Sequence, residues 1–256
     1  MIVRRMAHYA RAIFIRIQRI LSPEIAKFHD ESVHLQKLLV KNDEVVFNEM
    51  YSRPNLLRHY LVDARLGFYR SVTARLDSLF PGVKEKASCI DVGCGTGHLL
   101  FELRNLEFSG RLVGLDAAAA AEEQVRSHGA DIEFYSGYLS EQVWRSEFDL
   151  VLCTEVLEHC PYPGIVVQDM IRVAKPGGMI VITVPDGRKD TWEGHIHFWS
   201  PESFKLFIES FGKKASFDYF EDVNFLCHLL LNFKINLGRP ITWGVTRLLL
   251  ERLRQS

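Results

Sequence analysis

Hydrophobic positions along the chain fall into two regimes. From the N-terminus to about residue 85 they recur at helical spacing: MIVRRMAHYARAIFIRIQRI, a second segment near Glu31 to Met50, and a third from Asn55 to Phe80 that Pro81-Gly82 closes. From Ala87 to Val184 the pattern changes to short β-branched runs, ASCIDV, RLVGLD, DIEFY, FDLVLC and MIVITV, with helical stretches starting near Gly97, Ala117 and Pro163. These runs are apolar without clean alternation, as expected for strands covered by helices on both faces. Alternation of strand and helix implies right-handed crossovers and a mainly parallel sheet. The fold class expected is therefore α/β, a doubly wound sheet with an N-terminal helical extension.

Past Pro185 a polar loop reaches Ser200. There Ser200-Pro201-Glu202 opens a helix whose apolar face is Phe204, Phe207, Ile208 and Phe211, and Gly212 ends it. FDYF is expected to add an edge strand, and from Asn224 onward the chain is apolar and basic with no topology implied. These shifts divide the chain into a helical extension (1–85), a ligand-binding domain (86–220) and a C-terminal segment (221–256).

Composition narrows the function. With 31 Lys and Arg against 32 Asp and Glu and 47% hydrophobic residues, the 256-residue chain is an ordinary globular protein with no basic excess, which argues against a dedicated nucleic-acid binder. Cysteines 89, 94, 153, 160 and 227 form an odd set without a C-x-x-C pair, so neither a disulfide framework nor a zinc ribbon is expected, and a reducing cytoplasm is. Arginines 4, 5, 11, 16 and 19 break any signal-peptide core. On a helical wheel Ile2, Met6, Tyr9, Ile13, Ile17 and Ile20 share one arc opposite those arginines. That segregation suits either peripheral contact of residues 1–21 with an anionic membrane or packing on the protein itself.

The chemistry concentrates in CIDVGCGTGHLL, where a strand leads into Gly93-Cys94-Gly95-Thr96-Gly97 and a helix follows. Glycines let a backbone approach a ligand closely. Nineteen residues after Gly97 the strand LVGLD ends in Asp116, a carboxylate able to accept both hydroxyls of a ribose. The dinucleotide pattern G-x-G-x-x-G fails, because His98 or Leu100 stands at its last glycine position.

Asp91 before the loop completes D-x-G-x-G-x-G, and this resembles the first motif of class I S-adenosylmethionine-dependent methyltransferases. FDLVLCTEVLEHCPYP and VAKPGGMIVITVP resemble that family's fourth- and fifth-strand motifs, with an E-V-L-E-H turn seen in many small-molecule members. The resemblance spans roughly Ala87 to Gly212. It implies S-adenosylmethionine as cofactor, held by Asp91, Gly93, Cys94, Gly95, Gly97, Asp116, Tyr138 and Glu155. Where many relatives carry an acid for the adenine amino group, this chain reads EFYSGYLSE, which leaves Tyr138 stacking, backbone groups or Glu141 for adenine.

The implied activity is methyl transfer, most readily to oxygen, onto a small-molecule or lipid-linked acceptor such as a quinone precursor, a sugar or another metabolite. An oxygen acceptor must lose a proton, which suits a histidine. His159, His197 and then His195 are the candidates, with Trp192, Phe198 and Trp199 as pocket walls. The bland alternative for His159 is a loop-fixing hydrogen bond to Glu158 or the backbone. The H-x-H pair could also bind a metal with Glu193 or Asp190, but sulfonium chemistry requires none and none is expected. The alternatives are a protein or RNA methyltransferase and a non-catalytic cofactor-binding partner.

Overall fold

The computed structural model describes residues 23–79, 82–129, 131–190, 192–212, 216–219 and 246–252. The amphipathic segment 1–21 lies outside them. Four helices come first: α1 (Pro23–Leu39), α2 (Glu44–Ser52), α3 (Pro54–Tyr60) and α4 (Asp63–Leu79). The domain proper follows as β1 (Ser88–Val92), α5 (His98–Asn105), β2 (Arg111–Asp116), α6 (Ala121–Ser127), β3 (Ile132–Ser136), β4 (Phe148–Thr154), α7 (Pro163–Val173), β5 (Ala174–Pro185), α8 (Pro201–Glu209), β6 (Ser216–Tyr219) and β7 (Thr246–Arg252).

The sheet order is β3-β2-β1-β4-β5-β7-β6, parallel across the first five strands and antiparallel where β7 pairs with β5 and β6. The chain runs outward from β1 to β3 and then returns to β4 on the other side of β1. The C-terminal ends of β1 and β4 therefore face the crevice where open α/β sheets bind ligands.

All five sequence-read strands are present, and FDYF supplies edge strand β6. Strand β7 comes from the C-terminal segment, so 246–252 joins the domain's sheet instead of standing apart.

The helical reading needs two corrections. The segment near Glu31 to Met50 breaks at Asn42, whose φ is 50°, and restarts at Asp43, whose carboxylate caps α2 by accepting from the Val46 amide at 2.8 Å. Asn and Asp prefer such positions because their side chains satisfy exposed backbone groups. The segment from Asn55 to Phe80 breaks at Leu61-Val62, with no glycine or proline to announce it. Packing explains the break: Leu56 of α3 joins Leu35, Met50 and Tyr51 against Ala118 and Ala121, whereas Phe68, Val72 and Leu76 of α4 join Leu99, Leu103 and Leu150. One straight helix could not serve both clusters.

The helices thus share the core of the sheet domain. The Ala120 amide donates to Asn48 Oδ1 at 2.9 Å, and Gln124 Nε2 donates to the Tyr51 carbonyl at 3.1 Å. This docking places α2 and α4 over the glycine turn. Among the described residues no helix is long and apolar enough to cross a membrane.

Candidate active site

The β1–α5 turn is built from left-handed residues. Gly93, Gly95 and Gly97 have φ of 75°, 50° and 74°. At Gly93 a Cβ would stand 2.4 Å from Val156 Cγ2 and at Gly95 2.9 Å from the Tyr51 hydroxyl, so side chains are excluded by both conformation and space. Cys94 is buried, and its Sγ lies 2.8 Å from where a Cβ on Gly114 would stand. Asp116 Oδ2 accepts from the Gly95 amide at 2.8 Å and Oδ1 from the Ala118 amide at 2.9 Å, so the acid at the end of β2 holds the turn in place.

Asp91 sits below the turn with Oδ1 buried and without a hydrogen-bond partner. Burial, with the Asp116 charge adding, pushes its carboxyl up to about 7. Burial also raises Asp116, while the Ala118 and Gly95 amides oppose the shift.

These residues open on a cavity of about 820 Å³ between the sheet ends and the N-terminal helices. Its wall is acidic: among the described residues, Asp43, Glu44, Asp91, Asp116, Glu155, Glu158 and Asp169 line it with one guanidinium, that of Arg65. Phe47, Tyr51, Tyr60, Phe68 and Tyr69 form an aromatic wall from α2 to α4. Arg65 Nη1 donates to the Tyr60 hydroxyl at 3.1 Å.

Opposite the glycine turn, the β4 end and the loop after β5 are bonded together. The Ile196 and His197 amides donate to the Glu158 carbonyl at 2.9 and 3.2 Å, and the Glu155 amide donates to the Thr183 carbonyl at 3.0 Å. Glu155 has φ of 56°, rare for a side-chain-bearing residue, and its Oε1 accepts from the Thr183 hydroxyl at 3.0 Å. Burial lifts its carboxyl to about 7 against the opposing effects of Thr183, His195 and Arg65. Burial and the Glu155 charge lift Glu158 well above the usual carboxylate range, and neither of its oxygens has a hydrogen-bond partner.

The three candidate histidines separate. His159 and His195 line the cavity with their rings 4.7 Å apart, beside Trp192. Nδ1 of His195 bonds Asp190 Oδ2, and Nδ1 of His159 bonds the Gly194 carbonyl at 3.3 Å. The loop-fixing partner of His159 is thus backbone and not Glu158. Burial holds the His159 imidazole down to about 3, hence neutral.

His197 does not line the cavity. Its Nε2 bonds the Cys160 carbonyl at 2.9 Å, and its ring stacks on Trp199 at 4.9 Å. Trp199 in turn packs on Phe204 and Phe207, and Phe198 is 47% exposed, so of the three expected aromatic walls only Trp192 faces the cavity.

Tyr138 stands at the cavity rim, 54% exposed, where it can cover a flat ligand. Glu141 is occupied in accepting from the Tyr138 amide at 2.9 Å. Sequence reasoning passed over Arg65 and gave Glu158 no role beyond a partner for His159. No spacing signal links Arg65 to the E-V-L-E-H turn, since only the docking of α4 brings it there.

A parallel sheet with a glycine turn at its switch point and an acid ending β2 defines a class I methyltransferase fold. A family model described as a methyltransferase domain matches residues 63–226, and the chain belongs to this family of S-adenosylmethionine-dependent enzymes. Ubiquinone biosynthesis O-methyltransferase of Proteus mirabilis (strain HI4320) is 29% identical over 140 residues, 52% of this chain and 53% of that protein. The protein of the same name from Idiomarina loihiensis is 32% identical over 157 residues, 56% of this chain and 60% of its own. The chain therefore spans little more than half the length of these relatives. Among solved structures, the 1,6-didemethyltoxoflavin-N1-methyltransferase of Burkholderia thailandensis, with bound S-adenosylhomocysteine, has a TM-score of 0.55. It is 16% identical and covers 75% of this chain and 80% of its own, a likeness of fold alone.

The loop that carries His195 closes through Gly187, whose amide donates to the Trp199 carbonyl at 2.8 Å. A Cβ at Gly187 would lie 2.4 Å from the Phe198 carbonyl carbon and 2.6 Å from the Trp199 nitrogen, backbone atoms that cannot yield. Gly187→Ala is expected to lower stability by about 1–3 kcal/mol, seen as a lower denaturant midpoint at unchanged slope. At Gly67 of α4 the nearest atom to an added Cβ is Arg70 Nη2 at 4.0 Å. Gly67→Ala should therefore raise stability by about 0.5–1 kcal/mol. Equal midpoints for the two variants would contradict this account of the loop.

Proposed function

We propose that the chain transfers the methyl group of S-adenosylmethionine to a hydroxyl oxygen of a small-molecule acceptor, of the quinone-precursor or lipid-linked kind. The observation that carries this reading is that one cavity joins the glycine turn to the Glu158, His159 and His195 cluster. The names of the curated relatives support oxygen as the acceptor atom.

The site fits the cofactor. The turn leaves a cradle that any Cβ would fill, the buried Asp91 Oδ1 lacks a partner, and the acidic wall suits a ligand with cationic ammonium and sulfonium groups. S-adenosylmethionine supplies a methyl carbon already electrophilic, with a neutral thioether as leaving group. Asp91 would hold the ammonium group, Asp116 the ribose hydroxyls through its remaining lone pairs, and Tyr138 a face of adenine. Cys94 and Glu155 shape the floor, Cys94 by filling the space beside Gly114 and Glu155 by its bond to Thr183.

For the acceptor, this chain's task is alignment and removal of one proton, because displacement at the methyl carbon needs an oxygen lone pair in line with it. His159 and His195 line the same cavity, and the cluster they form with Glu158 would orient the hydroxyl and draw off its proton. Trp192 and the aromatic wall of α2 to α4 exclude water and suit an apolar, planar acceptor.

The apolar arc and arginines of residues 1–21 support peripheral contact with an anionic membrane, where a lipid-linked acceptor would be met.

Asp116→Ala should weaken cofactor binding by about 1.5–3 kcal/mol in calorimetry, through loss of charge-assisted hydrogen bonds and of the clamp on the turn. Asp91 predicts a pH slope. Its carboxyl, at about 7, is largely protonated at pH 6 and must lose that proton to pair with an ammonium, so affinity should rise between pH 6 and 7.5 with proton release at the lower end. By the same sign, the ligand-free protein should lose stability as pH rises through 7, and Asp91→Asn should flatten both slopes. A wild-type affinity flat over that range would reject the pairing.

His195→Ala should reduce turnover roughly 10²-fold or more with cofactor affinity near normal, using a hydroxylated quinone precursor as acceptor. Full turnover in both His195→Ala and His159→Ala would remove the cluster from the chemistry.

The membrane reading is checked by sedimentation with anionic vesicles at low salt. The full chain should pellet and a variant lacking residues 1–21 should not. A soluble full chain whose melting temperature falls on that deletion would place this segment in the fold instead.

A further inference from the structure

We infer that Asn42 is a specificity-determining residue for the acceptor: its Oδ1 accepts a hydrogen bond from a second donor group that the acceptor carries besides the hydroxyl to be methylated. This inference deepens the methyl-transfer reading and rests on it. Asn42 stands between α1 and α2 and lines the cavity. Its Nδ2 donates to the His159 carbonyl at 3.1 Å, across 117 positions of sequence.

That bond fixes which end of the amide is which. A carbonyl can only accept, so the NH₂ group must face His159, and Oδ1 is left as a pure acceptor. Among the described residues nothing donates to Oδ1, although the atom is shielded from solvent. A buried oxygen in that state costs free energy, and such atoms in folded proteins are normally paired. Nearby side chains on this wall offer no donor, since Leu35, Leu39 and Phe47 are apolar and Asp43 and Glu44 are carboxylic acids.

Backbone geometry alone does not call for asparagine here. Position 42 must tolerate a φ of 50°, which glycine would do without burying a polar atom, and α2 already has its cap in Asp43. Asparagine therefore brings two groups that the turn does not use, one tied to His159 and one unpaired.

Position decides between acceptor and cofactor as the source of the donor. Through the His159 carbonyl Asn42 belongs to the β4 end, opposite the glycine turn, and the Phe47 ring stands edge-on to the His159 ring with centroids 6.4 Å apart. An acceptor held by its reactive hydroxyl at the Glu158, His159 and His195 cluster reaches this wall with the rest of its ring. A hydroxyl or N–H there completes Oδ1, whereas a hydrogen or methyl leaves it unpaired and an ether oxygen opposes it. The acceptor class implied is a planar ring with two donors, one methylated and one read by Asn42. Sites that hydrogen-bond a donor discriminate against the analogue lacking it, because the polar group is then left unpaired.

The test uses the full chain saturated with S-adenosylhomocysteine, which fills the cofactor side and permits no reaction. Calorimetry compares phenol with catechol, resorcinol and hydroquinone, each of which adds one hydroxyl at a different ring position. Expected is that one diol binds the wild type about tenfold or more tightly than phenol, and that Asn42→Gly, which keeps the left-handed backbone, reduces this preference to about twofold or less. The kcat/KM ratio with S-adenosylmethionine should fall in parallel, because the intrinsic reactivity of each phenol is the same for both proteins. A purely structural role would weaken all four ligands alike and leave the ratios in place.

A wild type that binds no diol better than phenol, or a preference that survives in Asn42→Gly, would overturn the assignment. The wild-type comparison decides even if a lowered melting temperature shows Asn42→Gly to be misfolded. A diol preference in binding that depends on Asn42, without methyl transfer to any of the four phenols, would support Asn42 as a ligand-reading residue and reject the methyl-transfer reading. Turnover of all four at ratios indifferent to residue 42 would reject the inference alone.

Discussion

The clamp that Asp116 places on two backbone amides fixes the site more than any other interaction. The β1–α5 turn strings together three left-handed glycines, the residues that lose most conformational freedom on folding. A turn of that kind keeps one shape only if something outside it holds it. Asp116 does so from the end of β2, with one oxygen on Gly95 and the other on Ala118, and the Gly93 and Cys94 amides bond the neighbouring Leu115 carbonyl. Once the turn is set, Val156 can pack against Gly93 and the Tyr51 hydroxyl can approach Gly95. The β4 end and helix α2 thus take their positions from the same carboxylate.

A second constraint runs against stability. Asp91, Glu155 and Glu158 are carboxyls whose burial raises their pKa, and Glu155 also holds a left-handed backbone that costs of order 1–3 kcal/mol. Apolar residues of similar volume would pack these positions without desolvation cost. Acids gathered around a cavity with, among the described residues, the Arg65 guanidinium alone make sense where a cationic ligand supplies the missing charge, and perturbed carboxyls cluster at working sites for that reason. The cost is carried by the sheet beneath, where Ile90, Val151, Phe148 and Ile182 are almost fully buried.

Much of this architecture was legible in the sequence, and the parts that were not share a cause. The parallel strands announce themselves as apolar runs because both faces are covered, and the glycine turn and Asp116 are local signals at fixed spacing. Helix breaks at Asn42-Asp43 and Leu61-Val62 depend on which cluster each helix packs against, and that is tertiary information. The insertion of β7 between β5 and β6 joins segments far apart in the chain, so no local pattern marks it.

The histidine loop shows the same limit at finer scale. In His195-Ile196-His197 an extended backbone would send both histidines to the same side, and nothing in the pattern announces that the chain bends at Ile196 and parts them. The Ile196 and His197 amides bonded to the Glu158 carbonyl decide it, turning His195 inward and His197 toward Cys160 and Trp199.

That decision also sets the chemistry of the inward pair. A proton acceptor needs the Nε2 lone pair directed into the cavity, hence a proton on Nδ1 and a partner to receive it. Asp190 and the Gly194 carbonyl are those partners, and Trp192 stands edge-on to both rings at 4.6 and 5.6 Å. Trp192 can do so because Gly194 has no side chain: a Cβ there would lie 2.5 Å from the indole Cη2. Asp190, Trp192, Gly194 and His195 thus act as one unit within six residues of loop, in which the acid sets the tautomer, the glycine admits the indole and the indole confines the ring. The segment between β5 and α8 therefore does for the acceptor side what the glycine turn and Asp116 do for the cofactor side, holding polar groups in a single orientation before any ligand arrives.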